Sequence, residues 1–201
     1  MKPGAGKNRL ISVVITAAAL AAVIIAAYLF FSGGAALSGK KAQDDAAYGA
    51  LYSEGDNLIK ISIFLGDAES DFFRVLEAEI YEAKAVVNRI KQALIKLFSD
   101  APKGYVRPVP AGTGIKEVYM DSNSVVYVDL TEEFRVNHRG GTTAEYMAVY
   151  SVVNTIIHNF EGVRGVRLLV EGAEVDTLSG HIYMGGVLTA EDGLQVLPVL
   201  Q

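Results

Sequence analysis

A chain of 201 residues is long enough for one domain with an appendage and too short for two large ones. Hydrophobic residues make up 51% and charged residues 20%, which excludes disorder throughout, and the absence of Cys excludes a disulfide framework, a thiol nucleophile, a zinc ribbon and a lipid-modified N-terminal cysteine. Lys2, Lys7 and Arg9 are the only charged side chains of the first 31 residues, so the remainder carries 15 bases against 23 acids, a formal −8 that argues against nucleic-acid binding.

The sequence opens with a basic stretch, residues 1–9. Residues 10–31, LISVVITAAALAAVIIAAYLFF, are apolar everywhere but Ser12 and Thr16. At ~1.5 Å per residue such a helix is roughly 33 Å long, enough to cross a hydrocarbon layer of ~30 Å. Tyr28, Phe30 and Phe31 gather at its far end, where rings favour the membrane interface, and the flanking bases place the N-terminus in the cytoplasm. A cleaved signal peptide is the competing reading, because a small-x-small site follows at Gly33-Gly34-Ala35. The run exceeds the ~7–15 residues of a signal core, which favours an uncleaved anchor in the bacterial cytoplasmic membrane with an extracytoplasmic body. Residues 32–56, rich in Gly, Ala, Ser and Asp, read as a flexible linker.

The folded body is expected over residues 57–188. Leu58–Leu65 is strand-like and ends at Gly66-Asp67. Phe72–Ile80 alternates Leu76, Ala78 and Ile80 against Glu77 and Glu79, a half-buried strand hairpinned to the first. Ala83, Val87, Ile90, Leu94 and Leu97 recur at helical spacing, with Lys84, Asn88, Lys91 and Gln92 elsewhere on the circle and Asp100-Ala101-Pro102 as the stop. Strands follow at Ile115–Met120 and Val125–Leu130, joined by Asp121-Ser-Asn-Ser124. A second helix starts after Gly140-Gly141, where Thr142 and Glu145 fit a capping box, and carries the stripe Tyr146, Tyr150, Val153, Ile157 and Phe160. A last strand, Val163–Glu171, turns at Gly172. This order predicts an α+β fold in which two helices cover one face of a mainly antiparallel sheet. Residues 189–201 read as a loose tail with an apolar patch, Val196–Leu200.

Candidate chemistry is thin. His138, His158 and His181 lack metal-ligand spacing, and His138 and His158 read as exposed. His181 follows the turn Leu178-Ser-Gly180. It reads as a loop-locking residue whose ring pairs with a backbone carbonyl, in preference to a base serving Ser179 with Asp176 behind it, since triads converge from separate segments. Glu77 and Glu79 share one strand face with Glu82 close behind, as solvated charges do. Asp129 is expected to cap the turn at Thr131. The glycine loops Gly112-Thr113-Gly114 and Gly140–Thr143 lack a phosphate-binding lysine and read as turns. No cofactor or metal is expected. Tyr105, Tyr119, Tyr127 and Tyr183 are candidate sugar-stacking rings.

Several segments occur together in a recognisable order: Val109-Pro-Ala-Gly-Thr113, Val126-Tyr-Val-Asp-Leu-Thr-Glu-Glu-Phe134, Gly140-Gly-Thr-Thr-Ala-Glu145, Ser151-Val-Val-Asn-Thr155 with Phe160, Val166-Arg-Leu-Leu-Val-Glu-Gly172 and Thr177-Leu-Ser-Gly-His181. From Leu58 to Leu188 the chain thereby resembles the GerM domain family, the sporulation and spore germination domain. The resemblance marks Gly112, Asp129, Phe134, Gly141, Asn154, Gly172, Gly180 and His181 as signature positions of structural kind and supplies no catalytic residue. It implies a fold like the ring-building domains of secretion assemblies. It also implies a non-enzymatic envelope module that meets other envelope proteins or its own copies. A peptidoglycan-binding or wall-hydrolysing domain is the alternative.

Overall fold

The computed structural model describes residues 51 and 57–192. The expected anchor (10–31), nearly all of the linker and the apolar patch Val196–Leu200 lie outside the described residues. Among the described residues no helix is long and apolar enough to cross a membrane.

Two strands, β1 (Leu58–Asp67) and β2 (Phe73–Tyr81), form the antiparallel hairpin that alternation predicts, in register from Leu58 opposite Tyr81 to Gly66 opposite Phe73. Ile61, Ile63 and Leu65 of β1 and Ile80 of β2 share the face that enters the main core. The turn between the strands is held by Asp67, whose carboxylate accepts the Ser70 hydroxyl (2.9 Å) and the Glu69 N–H (3.2 Å). Helix α1 (Val86–Phe98) buries Ile90, Ala93, Leu94 and Leu97 at helical spacing. It also buries Gln92, which the sequence placed among the solvent-side polar residues. The amide of Gln92 accepts the Tyr81 N–H (2.9 Å) and donates to the Tyr81 carbonyl (3.1 Å), satisfying both backbone groups of the last residue of β2.

A two-residue strand β3 (Tyr105–Val106), unmarked by any periodicity, joins the other edge of β1 at Gly66 and Asp67. Strands β4 (Ile115–Met120) and β5 (Val125–Leu130) match the predicted bounds, and the Asp121 carboxylate accepts the N–H groups of Asn123 and Val125 in the turn between them. The short helix α2 (Glu133–Val136) is new, and it plants Phe134 fully in the core. Helix α3 (Thr142–Asn159), strand β6 (Gly165–Val170) and strand β7 (Ala173–Glu174) complete the order.

The fold is α+β, but the expected single sheet is two: β2-β1-β3 and β4-β5-β6-β7. Most pairings are antiparallel. The pair β5–β6 is parallel, because α3 carries the chain back before β6 begins. Helix α1 packs on β1, β2 and β4, and α3 packs on β1, β6 and α1, so the helices touch both sheets instead of lining one face. The division has a physical cause in α3. The Ser62 N–H donates to Asn159 Oδ1 (2.7 Å), Asn159 Nδ2 donates to the Ser62 carbonyl (2.6 Å), and the Phe64 N–H donates to Thr155 Oγ1 (3.1 Å). Helix side chains thus satisfy an edge where another strand would otherwise pair. Pressed from several sides, α3 buries far more than one stripe: Ala148, Val149, Val152, Val153 and Ile156 are sealed, and so are Ser151, Asn154 and Thr155. Tyr146 and Tyr150 stay half-buried against a second small cluster, Phe64, Phe73 and Met147.

Candidate interaction face

A buried carboxylate organises the segment that follows β7. Glu145 does not form the predicted capping box: Gly141 stands at the N-cap of α3 with no side-chain cap, and Glu145 is fully enclosed. Its Oε1 accepts the N–H groups of Leu178 (2.8 Å) and Ser179 (3.1 Å). Its Oε2 accepts the Ser179 hydroxyl (2.7 Å) and the His181 N–H (3.0 Å), and it pairs with His181 Nδ1 (3.1 Å). Burial works to raise its pKa. The hydrogen bonds from Ser179, His181 and Leu178 outweigh burial and hold the carboxyl down at about 2. The converging donors of one loop draw the side chain away from the helix start.

This arrangement locks the loop and does not prime a nucleophile. The Ser179 hydroxyl donates into the carboxylate, and His181 Nδ1 faces the same carboxylate, 3.5 Å from Ser179 Oγ. In a relay the imidazole would stand between serine and acid, one nitrogen toward each. His181 is therefore the loop-locking residue, with an acid as partner where a backbone carbonyl was expected.

The other signature positions are dispersed. Asp129 Oδ1 accepts the Gly172 N–H (2.7 Å), so it ties the β6–β7 turn and not the turn at Thr131. That turn places Glu171 and Gly172 at φ 53° and 76°, the signs of a type I′ hairpin, and a second side chain beside Glu171 in this left-handed region would add strain. Gly112, Gly141 and Gly180 also have positive φ. The Gly180 N–H donates to Thr177 Oγ1 (3.0 Å), inside the loop that Glu145 holds. Asn154 lies elsewhere and clasps the Glu191 backbone through both amide atoms (2.9 and 3.0 Å).

Neither remaining histidine is freely solvated as expected. His138 is half-buried, with Nδ1 accepting the Gly140 N–H (3.1 Å). His158 stacks on Phe64 (centroids 4.9 Å apart) and sets Nε2 3.0 Å from Asp192. Glu77 pairs with Lys60 on the open strand surface. Among the described residues no three His, Asp or Glu side chains are placed to hold a metal ion. A cleft of about 1260 Å³ opens between the β1–β2 turn and the Gly140–Gly141 loop, with Val106, Arg107 and Met147 in its walls.

The segment that follows the locked loop meets the sheet that carries a tyrosine pair. Tyr119 of β4 and Tyr127 of β5 are directly opposite and stack with centroids 4.6 Å apart and planes 7° apart. Next to Tyr127 on β6 stands Arg167, whose guanidinium pairs with Glu174 (3.1 Å) and donates to the Gly185 carbonyl (2.8 Å). Val187 sits over Gly165 so closely that a Cβ there would come within 2.3 Å of Val187 Cγ1, which only glycine avoids. Tyr183, Val187 and Tyr119 remain 66%, 49% and 45% exposed. Of the four candidate sugar-stacking tyrosines, Tyr119 and Tyr127 are a pair and Tyr183 is on the adjoining loop. Tyr105 belongs to the other sheet, under the Arg74 guanidinium (4.8 Å).

A family model described as Germane, sporulation and spore germination, matches residues 64–176, more than half of the chain. No curated protein gives a match. Among solved structures the chain is similar to the first GerMN domain of the sporulation protein GerM from Bacillus subtilis, at 22% identity over 68% of this chain and 97% of that one, with a TM-score of 0.47. It is similar to the tandem GerMN domains of the same protein, at 16% identity over 69% of this chain and 46% of that one (TM-score 0.48). It is also similar to a protein classed as a lipoprotein from Clostridium perfringens, at 18% identity over 71% of this chain and 94% of that one (TM-score 0.47).

Proposed function

The chain belongs to the Germane family of sporulation and spore germination, and on that premise we propose that it is a membrane-anchored, extracytoplasmic interaction module that assembles or positions a cell-envelope complex without catalysis. The observation that carries the reading is the exposure of Tyr119, beside its stacked partner Tyr127, and of Tyr183 and Val187, which follow the loop 178–181 fastened by the buried Glu145 carboxylate. Exposed aromatic rings on a rigid support suit protein contact, because little side-chain freedom is lost on docking. The body's formal −8 favours a partner surface rimmed with bases. Residues 10–31 supply the anchor, their apolar run being long enough to span a membrane, and the flanking Lys2, Lys7 and Arg9 keep the N-terminus in the cytoplasm.

The test is site-specific photocrosslinking in native membranes from Tyr119 and Tyr183, with Glu77 on the other sheet as control. Envelope proteins captured from the first two positions and not from Glu77 are the expected result. Recovery of the full-length chain in the cytosol with no crosslinks would overturn the reading. The Tyr119–Tyr127 pair also favours peptidoglycan as a ligand, since sugar rings stack on such aromatic faces. Pelleting with purified cell wall that Tyr119→Ala and Tyr183→Ala abolish would place that alternative first.

A further inference from the structure

We propose that the segment Leu194–Leu200 of this chain docks on the outer face of the β1–β2 sheet, over Phe64, Phe73, Val75 and Val106. This stands apart from the interaction surface proposed above, which lies on the other sheet. Strand register puts these four side chains on the face opposite the main core: Phe64 is across from Val75, and Gly66 lies between Phe73 and Val106. Phe64 and Phe73 are covered by Met147 and the tyrosines of α3, but Val75 and Val106 remain 43% and 50% exposed. The other end of the same face is charged, with Lys60 and Glu77 paired.

The described chain leads to this patch. Leu188 is bridged to Val166, the Glu191 backbone is clasped by Asn154, and the Asp192 carboxylate faces His158 Nε2. Tyr146, Tyr150, Asn154 and His158 are four residues apart on α3 and so lie along one stripe. The His158 ring is stacked on Phe64, which places Asp192 one ring away from the patch. Burial first, then the charges of Glu191, Tyr150 and Asp192, push the Tyr146 hydroxyl up to about 12. The shielded Tyr146 hydroxyl has no hydrogen-bond partner among the described residues, and a backbone carbonyl of the segment would satisfy it.

The chemistry of the segment matches. Residues 193–201 read GLQVLPVLQ, with Leu194, Val196, Leu197, Val199 and Leu200 apolar and Pro198 barring a continuous helix. Nine extended residues reach roughly 30 Å, ample for a patch that begins beside Asp192. A segment without charged side chains fits the uncharged end of the face.

The chain has no Cys, so any thiols introduced into it are the only ones. In the full-length chain, Val75→Cys is combined with Val196→Cys or Val199→Cys, and Tyr119→Cys replaces Val75→Cys as control. Mild oxidation is expected to close an intramolecular disulfide from position 75, independent of protein concentration, and none from position 119. A disulfide-linked dimer would assign the patch to a second copy and overturn the proposal. In parallel, hydrogen exchange on the unmodified chain is expected to be at least tenfold slower over residues 194–200 than in Leu197→Asp. Equally fast exchange in both, or closure only with position 119, also overturns it.

Discussion

Glu145 illustrates how far one side chain can be from its sequence reading. A threonine three positions before a glutamate, just after Gly140-Gly141, is the ordinary signature of a helix cap. The donors that claim the carboxylate lie 33 to 36 residues later, and no local pattern announces them. The residue's consequences are measurable. Its pKa, about 2 when folded, lies below the ordinary 4.5, so its contribution is fully present above pH ~4.5 and is lost as pH falls toward 2. A shift of that size corresponds to about 3 kcal/mol, so urea midpoints are expected to be flat from pH 5 to 7 and to fall steeply between pH 4.5 and 2.5. Glu145→Ala, which orphans three N–H groups, should remove about 2–4 kcal/mol and flatten that acid limb. Hydrogen exchange should then accelerate at residues 178–181 before the strands are affected. Retention of the limb in Glu145→Ala would assign it to another carboxylate.

Among the elements, those with a long period were legible. Strands β1, β2, β4 and β5 and both long helices fall where alternation or helical spacing put them, because one buried face imposes the pattern. The two-residue strands and the four-residue α2 carry no period, and Phe134 reached notice only through the family resemblance. What periodicity could not disclose was the division into two sheets. That depends on Asn159 and Thr155, polar residues near the end of an apolar helix, turning inward to serve the edge of β1. Asn159→Ala strands the Ser62 N–H and carbonyl and should cost about 2–3 kcal/mol in chemical denaturation, whereas Asn159→Asp keeps the acceptor and should lose less. Equal losses for the two would mean that the acceptor oxygen contributes nothing and the amide's donor carries the whole effect.

Across the described residues, one core joins both sheets through the two helices, and the other face of β2-β1-β3 carries the separate cluster of Phe64, Phe73 and Met147. The candidate surface was half visible in advance. Residue type marks Tyr119, Tyr127 and Tyr183 but equally Tyr105, since nothing in one dimension separates residues of two sheets. Because Tyr119 and Val187 are exposed, the double change Tyr119→Ser with Val187→Ser is expected to alter stability by no more than about 1 kcal/mol. The same variant should lose the crosslinks proposed for that surface. A large fall in melting temperature would instead give the pair a structural role.

The seam between α3 and β1 also acts as an indexing device. Sliding the helix by one turn would bring Ser151 and Thr155 to the places now held by Thr155 and Asn159. Serine could mimic the threonine hydroxyl, but a threonine at the second place has no amide with which to grip a donor and an acceptor together. The apolar contacts of a rod so evenly greasy would tolerate either setting; the asparagine permits one.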